Sequence, residues 1–129
     1  MRYLHECRKA GAAPGKLGIR IKHICKPRDA SDGRRVFAGR NWPREVRKLD
    51  ADEWLADLAP SAELREWFGQ DAKRWREFHD RYRAELAQRQ RLLNSLRRSA
   101  AQQTVTLLHA AKDHPFNEAT VLKEAICAR

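Results

Sequence analysis

The sequence predicts an α/β fold, a small Rossmann-like open sheet of few strands covered by helices, with a helix-rich middle section. Three observations support this prediction. Residues 19–24 alternate apolar and polar side chains, which is typical of a half-buried strand. Residues 61–96 place apolar side chains at spacings of three and four, which is typical of amphipathic helices. Residues 104–108 form a short, β-branched apolar run, and a helical pattern follows it.

Two strands are predicted before the helical section. The first covers residues 19–24, and the second covers residues 35–38 after a turn-rich segment at 27–33. The connection between them is too short for the dozen or more residues that a parallel crossover needs. We therefore expect these strands to be antiparallel if they are neighbours.

The first two helices are predicted from their capping residues. Asp50 can cap a helix that contains Glu53 in the capping-box position. A second helix is predicted to begin after Ser61 and to end at Gly69, since glycine commonly ends helices.

A long helix, a strand and a closing helix are predicted for the rest of the chain. Asp71 can cap the long helix, whose apolar stripe breaks at residues 88–91, so we expect a bend or a second helix there. The run at 104–108 is typical of a central strand that is covered on both faces. After a loop at 110–115, a closing helix is predicted over 117–128. The stripe of the long helix consists of Trp75, Phe78, Tyr82 and Leu86.

The positive charge is unevenly distributed along the sequence. The chain has 129 residues and a formal net charge of +10, but residues 49–129 hold equal numbers of basic and acidic side chains. Residues 18–48 carry +7, and residues 1–17 carry +3 and are expected to form a flexible basic extension. Such charge attracts phosphate, which indicates a phosphate-bearing ligand such as a nucleotide or nucleic acid. The alternative is a solvated basic surface without a partner.

Several other classes of protein and site find no support in the sequence. No apolar run approaches the roughly 20 residues of a membrane span, and no secretory signal is evident, so we expect a cytoplasmic protein without membrane contact. The common nucleotide-binding and hydrolase motifs are missing, and no cofactor is predicted. The His-x-Cys pairs at 5–7 and 23–25 lack a standard zinc-ligand spacing, so no metal site is predicted. The sequence leaves the oligomeric state open.

Six ordered motifs resemble those of a known family. They are GRNWPR at 39–44, WLADLAPS at 54–61, LRxWFG at 64–69, RYRxEL at 81–86, VTLLHAAKD at 105–113 and NxxxVLKE at 117–124. Together they resemble the YeaO-like family, bacterial domain of unknown function 488. The resemblance implies a small cytoplasmic α/β domain over residues 18–129, without an established activity.

The sequence also departs from the pattern of that family. The family usually has an acidic residue where this chain has Gly39, next to Arg40. The resemblance therefore gives no support here to a catalytic role that such an acid–arginine pair would serve.

A candidate site is predicted where two strands end. The second predicted strand leads into residues 40–44, and the last leads into residues 109–117. If these strands are parallel, both segments leave the same edge of the sheet, where ligands bind in open α/β folds. Guanidinium and ammonium groups suit a phosphate or carboxylate, and an indole can form an aromatic wall. The predicted ligand-binding residues are Arg40, Trp42, Arg44, Lys112 and Asn117.

Three functions agree with such a site. The first is a module that binds a phosphate-bearing ligand. The second is a small enzyme acting on an anionic substrate, with His109 and Asp113 as its catalytic acid–base groups. The third is a protein-interaction domain that docks an acidic partner.

The candidate residues also have structural alternatives. Arg40 and Arg44 can fasten their loop to the acids at positions 50, 52 or 57, and Trp42 can fill the core. His109 can be a hydrogen-bonded core residue, and Asp113 and Asn117 can simply cap the closing helix.

Overall fold

The fold is an open parallel sheet with helices packed against one of its faces. The computed structural model describes residues 17–44, 46–47, 50–69, 71–110 and 117–128. Within these residues, the strands pair in the order β1-β4-β2-β3, and every pair is parallel. The strands are β1 (Ile19–His23), β2 (Arg34–Phe37), β3 (Glu53–Trp54) and β4 (Val105–His109). The helices are α1 (Ala62–Phe68), α2 (Trp75–Leu86), α3 (Gln90–Gln102) and α4 (Glu118–Cys127).

Strand β4 lies at the centre of the sheet, as its apolar sequence predicts. It pairs with β1 on one side and with β2 on the other, and all five of its residues are buried. Strand β4 separates β1 from β2, so the first two strands are not neighbours. The antiparallel pair was predicted only for neighbouring strands, and it is therefore not formed. The predicted α/β class is confirmed, while the Rossmann-like description stays a prediction.

The helix predicted to begin at Asp50 is wrong. The chain there forms the short strand β3 and a 3₁₀ turn at Ala56–Leu58. The amide of Asp52 donates to the carbonyl of Arg35 at 2.8 Å, and the amide of Leu55 donates to the carbonyl of Phe37 at 2.8 Å. Pairing with β2 therefore uses backbone groups that a helix would have bonded within itself.

The other predicted helices are confirmed, together with their caps. The hydroxyl of Ser61 accepts from the amide of Leu64 at the start of α1, and Gly69 ends this helix in the left-handed conformation (φ 51°). Asp71 caps a 3₁₀ turn that leads into α2. A second 3₁₀ turn, Ala87–Arg89, separates α2 from α3 at the predicted bend.

The two faces of the sheet have different covers. Side chains alternate along the strands, so Val36 and Leu107 face the main core, which the helices complete. Phe37 and Leu108 face the opposite side, where they pack with Ile24 and Val46. We call this second side, which is covered by residues 24–33 and by the described residues 42–44, 46–47 and 50–52, the loop-covered face.

The proposed boundary at residue 17 stays a prediction, because residues 1–16 lie outside the described residues. Leu17 itself is buried in the main core. Across the described ranges, we find no helix with the length and apolar character that a membrane crossing needs.

Candidate functional site

The two predicted site segments leave the same edge of the sheet. Strands β2 and β4 are parallel neighbours, with Phe37 opposite Leu108. The carboxyl ends of both strands therefore meet, as the sequence predicts. Beyond this edge, however, the candidate side chains lie on different faces.

His109 lies on the helix-covered side of the sheet. It follows the alternation of Val105 and Leu107, which belong to the main core, and only 7% of its surface is exposed. Its register partner is His23, and the two imidazole rings meet edge to face with 5.3 Å between centroids. This placement agrees with a core role for His109.

Asn117 caps the closing helix. It is buried, and its side-chain oxygen accepts from the amide of Thr120 at 3.2 Å at the start of α4. Asn117 is thus a helix cap, while its predicted role in ligand binding stays a prediction. Lys112 and Asp113 lie outside the described residues, so their predicted roles stay predictions.

Trp42 fills the loop-covered face. Its indole N–H donates to the carbonyl of Val46 at 2.7 Å, and its ring packs edge-on against Phe37 and Trp54 with centroids 5.2 and 5.6 Å apart. The ring is half-buried beside the cluster of Phe37 and Leu108. Trp42 and His109 therefore lie on opposite faces of the sheet and do not form walls of one pocket.

Arg40 lines a cavity of about 260 Å³ at the edge of the sheet. The cavity wall also holds Arg89, Asp57 and Glu85, so its charges are mixed. The Glu85 carboxylate accepts from both the amide and the hydroxyl of Ser61, at 2.8 and 2.7 Å. Glu85 thus fastens the start of α1, and the cavity is not strongly selective for anions.

Arg44 lies on the loop-covered face with other exposed cations. Lys26, Arg44 and Arg47 are exposed, and none has a hydrogen-bond or ion-pair partner for its side chain among the described residues. The loop-fastening alternative is not observed for Arg44, because it pairs with none of the acids at 50, 52 and 57; the acid at 52 pairs with Arg28 at 3.2 Å. The two segments that cover this face therefore carry three exposed cations without a partner among the described residues.

A charged network that the sequence analysis missed lies buried beneath the two covering segments. The Asp32 carboxylate accepts from the ammonium of Lys22 and from the guanidinium of Arg35, each at 2.7 Å. Asp32 and Arg35 have no exposed surface. The Arg35 guanidinium also donates to the carbonyls of Asp50 at 2.7 Å and Lys26 at 3.2 Å. The network therefore ties both covering segments to β2.

The charges of this network shift the acidity of its members. Burial alone would raise the pKa of Asp32, but hydrogen bonds from Lys22 and Arg35 outweigh burial and lower that pKa to about 2. The pKa of Asp52 is also lowered, because the amide of Arg35 and the guanidinium of Arg28 outweigh its desolvation. Both acids are thus charged at neutral pH and hold the cations beside them.

Trp54 is a second feature that the sequence analysis missed. It lies opposite Phe37 in the register, on the loop-covered face, with 41% of its surface exposed. Its indole N–H donates to the carbonyl of Gly39 at 2.7 Å. A strand of two residues is too short to show alternation, so the sequence carries no local signal for this placement.

Gly39 leaves no room for a side chain beside Arg40. A Cβ atom at this position would lie 2.3 Å from Cζ of Phe37. The Phe37 ring is 1% exposed and is held between Trp42 and the sheet, so it cannot easily move. The space that an acid at position 39 would need is therefore filled.

Comparison with known proteins identifies relatives over most of the chain. Residues 18–129 match DUF488-N3i, a family described as the "Inactive DUF488-N3 subclade". Among the relatives, the uncharacterized protein YeaO of Escherichia coli is 37% identical over 110 residues, which are 84% of this chain and 96% of YeaO. The uncharacterized proteins Mb3100c of Mycobacterium bovis and Rv3073c of Mycobacterium tuberculosis are each 34% identical over 113 residues, which are 86% of this chain and 95% of theirs. No solved structure gives a significant match.

Proposed function

This chain belongs to the YeaO-like DUF488 family, and we propose that it is a non-catalytic domain that binds nucleic acid through its loop-covered face. The observation that carries the proposal is the set of three exposed cations on that face, Lys26, Arg44 and Arg47, which have no partner among the described residues. Exposed lysine and arginine side chains are the usual contacts of a protein with the phosphate groups of nucleic acid.

The charge distribution favours a polyanion over a single small anion. Residues 49–129, which supply the helices, are neutral overall, while residues 18–48 carry +7. The cations of the loop-covered face lie on two separate connections and do not line the cavity beside Arg40. An extended chain of phosphates can contact cations on two separate connections, which favours a polyanion as the ligand.

Binding is better supported than catalysis. His109 lies on the helix-covered side, away from the exposed cations, and the Phe37 ring fills the place beside Arg40 where the family usually has an acid. The family description "inactive" agrees with the loss of that acid. The cytoplasm, where nucleic acid is abundant, stays the predicted compartment.

The proposal is tested by the salt dependence of binding. The full chain is titrated against a fluorescently labelled, mixed-sequence oligonucleotide, and anisotropy gives the affinity at several salt concentrations. We expect the logarithm of affinity to fall linearly with the logarithm of salt concentration. The double variant Arg44→Gln/Arg47→Gln should lower the magnitude of that slope by about 1.4 for a single strand.

A matched control separates this face from overall charge. The double variant Arg76→Gln/Arg98→Gln removes two exposed arginines of α2 and α3, and so changes the net charge equally. This control should leave most of the affinity unchanged. Equal losses in both double variants, or no salt-dependent binding by the unaltered protein, would refute the proposal.

A further inference from the structure

We infer that the bound nucleic acid is single-stranded and that one of its bases stacks on Trp54. The inference rests on the proposed function and specifies its ligand. It follows from one juxtaposition on the loop-covered face, where an exposed indole lies at the edge of the sheet beside a packed second indole and a cationic loop.

Trp54 is exposed and yet fixed in position. Its N–H donates to the carbonyl of Gly39, and its ring meets Trp42 at 60° with centroids 5.6 Å apart. Trp42 is itself fixed by its bond to the carbonyl of Val46. A ring that is already held loses little conformational freedom when a ligand stacks on it, so binding costs less.

Two arginines stand next to, or between, the residues that hold the two indoles in place. Arg40 follows Gly39, the residue that holds the Trp54 indole, and Arg44 lies between Trp42 and Val46 in the loop beside it. Both arginines are exposed. An aromatic ring flanked by cations is the usual arrangement of a site for single-stranded nucleic acid, in which stacking and phosphate contacts act together.

The exposed ring favours a single strand over a duplex. In a duplex the bases stack on one another, and their faces are available only at the ends or after unstacking. A single strand presents a base face at every nucleotide, and stacking tolerates any sequence because each base has a π-face. The contacts on this face therefore give no reason to expect strong sequence preference.

A comparison of two ligands tests the stacking directly. The unaltered chain is titrated with a single-stranded oligonucleotide and with an abasic oligomer of the same length, which has the same phosphate charge but no bases. We expect the base-bearing strand to bind roughly 5- to 150-fold more tightly, as one stacked base would produce. Equal affinities would overturn the inference.

Variants assign the preference to one ring. Trp54→Ala should abolish the preference for bases without changing the salt slope, and Trp54→Phe should retain part of it. The control Trp67→Ala removes a half-buried indole that packs under Arg74 and Arg81 on the helical side, so it should keep the full preference. A Trp54→Ala protein that still prefers the base-bearing strand would contradict the assignment.

Photocrosslinking of the unaltered chain gives a result that does not depend on the folding of a variant. Irradiation with a thymidine oligomer, followed by mass spectrometry of peptides, should place the adduct on the peptide that contains Trp54. An adduct confined to other peptides would overturn the inference. If the abasic and base-bearing strands bind equally but with a slope that depends on Arg44 and Arg47, stacking fails while the proposed function stands. If neither strand binds, the proposed function fails.

Discussion

Replacing Asp32 by asparagine tests how strongly the buried network stabilises the loop-covered face. The substitution keeps the size of the side chain but removes the charge that neutralises Lys22 and Arg35. The Arg35 guanidinium has no exposed surface and would be left as a buried cation without its carboxylate. Removing one partner from a buried ion pair costs about 3–5 kcal/mol. Because asparagine retains an acceptor oxygen, we expect a loss of about 3 kcal/mol in the free energy of unfolding at pH 7.

The pKa of Asp32 gives a second estimate from the same contacts. Folding lowers this pKa from 3.8 to about 2, and each unit corresponds to 1.36 kcal/mol. The charged form therefore contributes about 2 kcal/mol above the unfolded pKa, in fair agreement with the first figure. Because the folded pKa is the lower one, this contribution is lost as the pH falls from about 4 through about 2.

Urea denaturation at several pH values measures both effects. The difference between the unaltered protein and Asp32→Asn should be largest at pH 7 and should shrink as the pH approaches 2. Asp29→Asn is the matched control, because Asp29 is an exposed acid whose side chain accepts from the backbone amides of Ser31 and Asp32, and asparagine caps equally well. A difference for Asp32→Asn below about 1 kcal/mol at pH 7, or one that does not change with pH, would refute the argument.

Three further substitutions, one of them a control, test the packing of the fold. Gly33→Ala should destabilise by at least about 3 kcal/mol, because its Cβ would lie 2.1 Å from the carbonyl oxygen of Thr104 and φ is 63°. Gly69→Ala is the control, because Gly69 has φ 51° but no close contact, and it should lower the free energy of unfolding by only about 1 kcal/mol. Equal losses for the two alanine variants in thermal or urea denaturation would show that the predicted clash at Gly33 is absent. Burial raises the pKa of Tyr82 well above its usual value, so its hydroxyl stays a donor to the carbonyl of Leu58 at 2.6 Å. Tyr82→Phe should therefore lower the free energy of unfolding by about 1–2 kcal/mol, and an unchanged value would show that Leu58 finds another donor.

Local signals predicted most of the helical part of the fold. Ser61, Gly69 and Asn117 mark helix ends through bonds that span three or four residues, and the structure has these caps where the sequence predicts them. The burial of β4 on both faces also follows from its apolar run. Asp50 shows where such signals fail, because pairing with β2 outcompetes the helix that its capping position favours.

The candidate site was predicted less well than the fold. A common edge for the two site segments was predicted only if β2 and β4 are parallel, and the two strands are parallel neighbours. The sequence does not show that Trp42 and His109 lie on opposite faces, because this depends on how a loop folds back over the sheet after its strand has ended. Trp54 was missed because its partners, Gly39 and Trp42, come from another segment, and Asp32 was missed because a turn without a periodic pattern brings it to Lys22 and Arg35.

The sequence by itself determined the α/β class, several of the helix ends, the central strand and the concentration of charge in residues 18–48. These depend on neighbouring residues or on composition. Only the tertiary structure decided which cations stay open to a ligand and which, like Arg35, are buried to hold the loops. Burial and pairing are set by contacts between segments far apart in the chain, and these contacts place Arg44 and Trp54 on one face while they direct His109 into the core.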